Sequence, residues 1–301
     1  MSTPLTRPTT PQPGATTPPP PDAAMPPQPG APTPPPQRSS AGRVVAIIAI
    51  VVGGLLILGT VTFGIIGAVV RSGGPVDDRI AVDAAGVDSL DIDVSAGDVR
   101  VLFTDTDEAV LDITADAGAG NWTLTREGDE LVVRSPQRWF FGWWFYDGPT
   151  RVVLELPEEL AGAGLEADFV LSAGSLDVDG EFGSLDLEVN AGELTVTGAA
   201  TELSTDVSAG RANLELADID TAELNVSAGG LKAVLTGSAP TDVAIDVSAG
   251  SLDLTVPAGP YRVESDVSAG GLDNRLETTS QATRIISVNV SAGDVTLRSD
   301  R

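Results

Sequence analysis

The chain has 301 residues, none of them cysteine or histidine, and its one lysine is Lys232. Without thiols there is no disulfide framework, no thiolate zinc site and no cysteine nucleophile. Without imidazole the usual Ser-His-Asp and Cys-His arrangements are excluded, as are histidine metal ligands. Any chemistry is left to carboxylates, hydroxyls or Lys232.

Positive charge is also scarce. Seventeen Lys and Arg stand against 43 Asp and Glu, for a net charge of −26. The imbalance is confined to one part of the chain: residues 1–70 carry three arginines and one aspartate, and residues 71–301 carry 14 basic and 42 acidic side chains. A segment this acidic repels a phosphate backbone, which excludes nucleic acid as a partner and favours cations or basic surfaces.

Proline divides the chain in the same place. Fifteen of the 22 prolines lie before residue 43, in a Pro, Thr, Ala and Gln tract with almost no large apolar side chains. Residues 1–42 cannot bury enough surface to offset ordering entropy, so a disordered tail with polyproline II character is expected. Residues 44–70 are uncharged and bracketed by Arg43 and Arg71. As a helix rising ~1.5 Å per residue this run is ~40 Å long, enough to cross a ~30 Å hydrocarbon core. A transmembrane helix over 43–71 follows. It begins too far from Met1 for a cleaved signal sequence, so it reads as an uncleaved signal anchor. Arg38 and Arg43 favour a cytoplasmic N-terminus, because Arg71 is soon followed by Asp77 and Asp78. Residues 72–78 form a short linker, and 79–301 a β domain outside the membrane.

That β domain is built on a repeated cassette, apolar-Ser-Ala-Gly. It occurs at Val94-Ser-Ala-Gly97, Leu171-Ser-Ala-Gly174, Val189-Asn-Ala-Gly192, Val207-Ser-Ala-Gly210, Val226-Ser-Ala-Gly229, Val247-Ser-Ala-Gly250, Val267-Ser-Ala-Gly270 and Val290-Ser-Ala-Gly293. From Gly174 onward the cassette glycines recur at intervals of 18 to 23 residues, and a near-constant period of this length is the signature of a repeat array. Around each cassette the apolar residues alternate: Val243, Ile245 and Val247 before one corner, Leu252, Leu254 and Val256 after it. Alternation is the period of a strand with one buried face. Earlier strands are expected at 109–114, 122–126, 131–134 and 151–156.

Two architectures satisfy this parity. In a hairpin meander Ala-Gly is a two-residue turn, but tight hairpins prefer Asn-Gly, Asp-Gly or a leading Gly. In a parallel β-solenoid the corner only bends the chain, and each cassette stacks on the next at ~4.8 Å. The solenoid explains why the corners are alike, with stacked Ala methyls filling the inner corner and Ser or Asn forming a ladder outside. The expected fold is therefore all-β, a parallel β-solenoid of ~20-residue coils preceded by a single transmembrane helix and the Pro-rich tail.

Four features in order carry a resemblance: the membrane anchor, Asp-Val-Ser-Ala-Gly-Asp-Val at 93–99, Gly128-Asp-Glu-Leu-Val-Val-Arg-Ser135, and Val153-Leu-Glu-Leu-Pro157 ahead of the repeated corners. Over residues 80–295 the chain resembles the bacterial putative adhesin family, a domain of unknown function. The resemblance implies a β-solenoid on the far side of the cytoplasmic membrane and no known catalysis. This chain departs from the family in placing Ala in nearly every corner, where members often carry Gly or Ser.

Two stretches are candidates for function. Trp139, Phe140, Phe141, Trp143, Trp144, Phe145 and Tyr146 are seven aromatics within eight residues, flanked by Arg134, Arg138 and Arg151. Such a loop caps an open coil end, enters the lipid interface, or stacks on a glycan or protein partner. The second is a column one residue ahead of the cassette: Asp93, Glu188, Asp206, Asn225, Asp246, Asp266 and Asn289. Stacked carboxylates there, chiefly Asp206, Asp246 and Asp266, invite a divalent cation such as Ca²⁺, or form a solvated acidic face. No other cofactor is implied. Carboxylate-based glycan cleavage is a third reading, but the repeats are too short to wall a cleft that desolvates a carboxyl pair. The sequence thus points to a non-catalytic binding, adhesion or structural module at the cell envelope, with a cell-wall or envelope protein as partner. The alternative is an envelope sensor or assembly scaffold that signals through its Pro-rich cytoplasmic tail.

Overall fold

The computed structural model describes residues 76–115, 122–136 and 150–300. The Pro-rich tail, the run 44–70 and the aromatic stretch from Trp139 to Tyr146 lie outside them. Among the described residues no helix is long and apolar enough to cross a membrane.

The described chain is all-β, with a single 3-10 turn at Glu158–Leu160. The strands are β1 (Val76–Asp83), β2 (Ser89–Val94), β3 (Asp98–Thr104), β4 (Glu108–Ala115), β5 (Thr123–Glu127), β6 (Glu130–Arg134), β7 (Thr150–Pro157), β8 (Glu166–Leu171), β9 (Ser175–Val189) and β10 (Glu193–Val207). They continue as β11 (Arg211–Ala217), β12 (Thr221–Val226), β13 (Gly230–Thr236), β14 (Asp242–Val247), β15 (Ser251–Val256), β16 (Arg262–Val267), β17 (Gly270–Asn274), β18 (Ile285–Val290) and β19 (Gly293–Ser299).

Strand alternation sets the core. In β15 Leu252, Leu254 and Val256 are buried and the residues between them are not, and β14 does the same with Val243, Ile245 and Val247. Each cassette separates a strand of one parallel ladder from a strand of a second. The ladder ahead of the corner runs through β8, the second half of β9, the second half of β10, β12 and β14. The ladder after it runs through β3, the first half of β9, the first half of β10, β11, β13 and β15. Like residues meet like: Val207 pairs with Val226, and Val226 with Val247. Their side chains join one continuous apolar core.

The corners stack as well, but their interior differs from the sequence expectation. Ala249 N–H donates to the Ser227 carbonyl at 2.8 Å, and Ser251 N–H to the Gly229 carbonyl at 3.1 Å. Ala209, Ala228, Ala249 and Ala292 are exposed, so their methyls do not fill an inner corner. The cassette valine and glycine do that instead: a Cβ on Gly250 would lie 2.5 Å from the Gly229 carbonyl oxygen and 2.7 Å from Val226 Cγ1. Glycine is required there by close approach of one corner to the next.

Stacking order departs from sequence order at both ends. β18 and β19 pair with β14 and β15 on one side and with β16 and β17 on the other. The strand pair β18–β19 is thus inserted between β14–β15 and β16–β17. Inward residues give the reason. β18 and β19 bury Ile286, Val288, Val290, Val295 and Leu297, whereas the matching positions of β16 and β17 include Ser265 and Asn274, both exposed. Putting the more polar pair outermost leaves the apolar pair covered on both sides. At the other end β2 lies between β6 and β8, and β3 between β7 and β9. Antiparallel strands follow there: β4 pairs with β1 and β7, and β5 with β6.

Candidate binding surface

Because side chains alternate, the residues one and three positions ahead of each cassette's apolar residue face away from the core. In register they form two outward columns on the first ladder. One reads Asp91, Asp168, Asp186, Ser204, Glu223, Ala244, Ser287, Glu264. The other reads Asp93, Val170, Glu188, Asp206, Asn225, Asp246, Asn289, Asp266. The result is a face made chiefly of carboxylates.

Asp206, Asp246 and Asp266 all lie in the second column, exposed on this one face. They are not neighbours. Asn225 separates Asp206 from Asp246, and the inserted strand β18 places Asn289 between Asp246 and Asp266. Two strand spacings, ~9.6 Å, separate successive carboxylates, well beyond what one cation with ~2.4 Å ligand distances can bridge. Among the described residues no group of three or more carboxylates is placed to hold a metal ion. The seven aromatics from Trp139 to Tyr146 fall outside the described residues.

The denser electrostatics lie in the first column, which the cassette-adjacent reading passed over. Asp91, Asp168 and Asp186 face each other on consecutive strands with no amide between them. The signal was present in the sequence, since the position three ahead of the cassette has the same parity as the position one ahead. Which acids become adjacent depends on β2 lying against β8. Burial, then the charges of Asp91, Asp186, Glu188 and Glu130, push the Asp168 carboxyl up to about 6. Asp91 is also raised by burial, even though Arg134 lies 2.7 Å from its Oδ2 and 3.6 Å from Asp93 Oδ2. Burial raises Asp186 and Asp206 as well, partly offset by hydrogen bonds from Ser204 and Asn225 respectively.

On the outer face of the second ladder, Asp177 lies 2.9 Å from Arg100 and Asp253 2.7 Å from Arg298, while Asp98 accepts from the Ser175 hydroxyl and Glu193 from the Asn213 amide. Where β9 bends between its two halves, an open groove is lined by Leu102, Phe103, Glu158, Asp179, Gly180 and Gly198, among others. The Phe103 ring packs edge-to-face on Phe182, and Phe182 on Phe169. Three carboxylates, Glu158, Asp179 and Glu181, stand on the lining of this open groove.

No family model matches the chain, and no curated relative matches it. Solved structures do. A putative cell adhesion protein from Clostridium sporogenes is 14% identical, with a TM-score of 0.33, and the match covers 75% of this chain and 100% of that one. A putative adhesin from Parabacteroides distasonis is 12% identical, with a TM-score of 0.42, covering 74% of this chain and 96% of that one. A putative lipid binding protein from the same species is 14% identical, with a TM-score of 0.41, covering 73% and 96%. Likenesses at this level leave the function to be argued from this chain's own residues.

Proposed function

We propose that this is a single-pass membrane protein that displays an acidic β-solenoid at the cell envelope as a non-catalytic binding, adhesion or structural module. The observation that supports it best is the acidic face of the first ladder. Its two outward columns are chiefly carboxylates, and among the described residues the arginines that meet them are Arg134, against Asp91 and Asp93, and Arg262, against Glu264. Carboxylates in such excess along a stack of strands favour an extended cationic partner over a small substrate, which needs a walled pocket. The uncharged run 44–70 supports the anchor, and its flanking arginines support an N-terminus on the cytoplasmic side.

Two measurements test the reading. Protease added to cells stripped of their wall should remove the β domain and spare the Pro-rich tail; protection of the β domain overturns the placement. The full chain in detergent should be retained by isolated cell-wall material at low salt and released as salt rises, as charge-driven contacts are. Retention that is absent, or indifferent to salt, overturns the binding face.

A further inference from the structure

The acidic face changes character where the chain leaves sequence order. β2 belongs to the first coil yet lies against β8, so the N-terminal coil is held by strands that follow it in the chain. Across that contact Asp91 stands in register with Asp168, and Asp168 with Asp186 across the next. Three carboxylates follow one another at the ~4.8 Å strand spacing, and the Asp91 side chain is only 14% exposed. We propose that this ladder is a proton-operated latch: a proton on Asp168 draws β2 onto β8, and its loss loosens the joint between the N-terminal coil and the rest of the stack.

Every element packed against Asp168 presents charge. β2 contributes Asp91 and Asp93, β9 contributes Asp186 and Glu188, β6 contributes Glu130 and Arg134, and β8 itself carries Glu166. Arg134 is the cation of this group, and it is engaged with Asp91 and Asp93. Asp168 therefore ionises among like charges in a half-buried setting, which is why its pKa stands at about 6 against an ordinary 3.8. The folded state thus holds this proton more tightly than the unfolded chain. Its contribution to stability is complete below the ordinary value and is lost as pH rises through about 6. Protonated, the carboxyl gains an O–H able to donate to Asp91 or Asp186; ionised, it can only accept. Main-chain bonds at this joint include Glu166 N–H to the Asp88 carbonyl at 2.9 Å and Ser172 N–H to the Val94 carbonyl at 2.8 Å.

The test uses the full chain in detergent micelles at constant ionic strength. Between about pH 7.5 and about pH 5 the thermal midpoint should rise by several degrees, and exchange protection of the Glu166 and Ser172 amides, corrected for intrinsic rates, should rise with it. Asp168→Asn should lift the midpoint at the higher pH and remove most of the rise. Asp246→Asn, on the same face but away from the ladder, should keep the rise. The latch is overturned if the parent shows no rise, if Asp168→Asn titrates like the parent or is less stable at the higher pH, or if protection of the two amides ignores pH. Retention on cell-wall material belongs to a separate assay, so failure of the latch and failure of the binding face are told apart.

Discussion

Asn289 stands in register with Asp246, its side-chain amide 3.5 Å from Asp246 Oδ2, although a whole coil separates the two in sequence. An amide therefore occupies the place where a second carboxylate, that of Asp266, is expected from the order of the repeats.

Calcium at millimolar concentration should accordingly stabilise the protein no more than sodium chloride at matched ionic strength, because both act by screening. Asp246→Asn combined with Asp266→Asn should leave the response to calcium unchanged. Thermal melts in the two salts decide the matter. A calcium-specific rise that disappears in the double variant would reveal a cation site on this column.

At the corners, Gly250→Ala should cost at least ~2 kcal/mol, since its methyl meets both the Gly229 carbonyl and Val226 Cγ1. Ala249→Gly, one residue away and exposed, should cost less than about 1 kcal/mol. Denaturant midpoints of the two variants compare them directly. Equal losses would mean that the corners do not approach as closely as described.

Thr205 is fully buried in a column of apolar side chains, between Leu187 and Leu224, and its hydroxyl has no hydrogen-bond partner. Thr205→Val keeps the shape and removes the unpaired group, so a gain of about 1 kcal/mol is expected. A loss of stability on this substitution would show that the hydroxyl is satisfied in solution, for instance by a buried water.

Much of this fold was legible in the sequence because strand alternation is a local property of the chain. The inward sets Val243, Ile245, Val247 and Leu252, Leu254, Val256 follow from a period of two residues and a corner marked by glycine. The composition likewise determined the acidity, and the absence of thiol and imidazole chemistry. The column of Asp206, Asp246 and Asp266 was found because each stands beside its own cassette. Their separation by amides was only half visible: Asn225 follows in order, but Asn289 does not.

What only the tertiary structure decided is which strand pairs with which. Cassettes so alike offer nearly equivalent neighbours, and the entropy of closing a connecting loop grows slowly with its length, so sequence order alone does not select a partner. Selection falls to the match of whole inward surfaces, with Ser265 and Asn274 sending β16 and β17 to the edge and the apolar β18 and β19 inward. The Asp91–Asp168–Asp186 ladder has the same origin. Its members become neighbours only when β2 is laid against β8, and burial across that long-range contact, absent from any local stretch of chain, gives Asp168 its raised pKa.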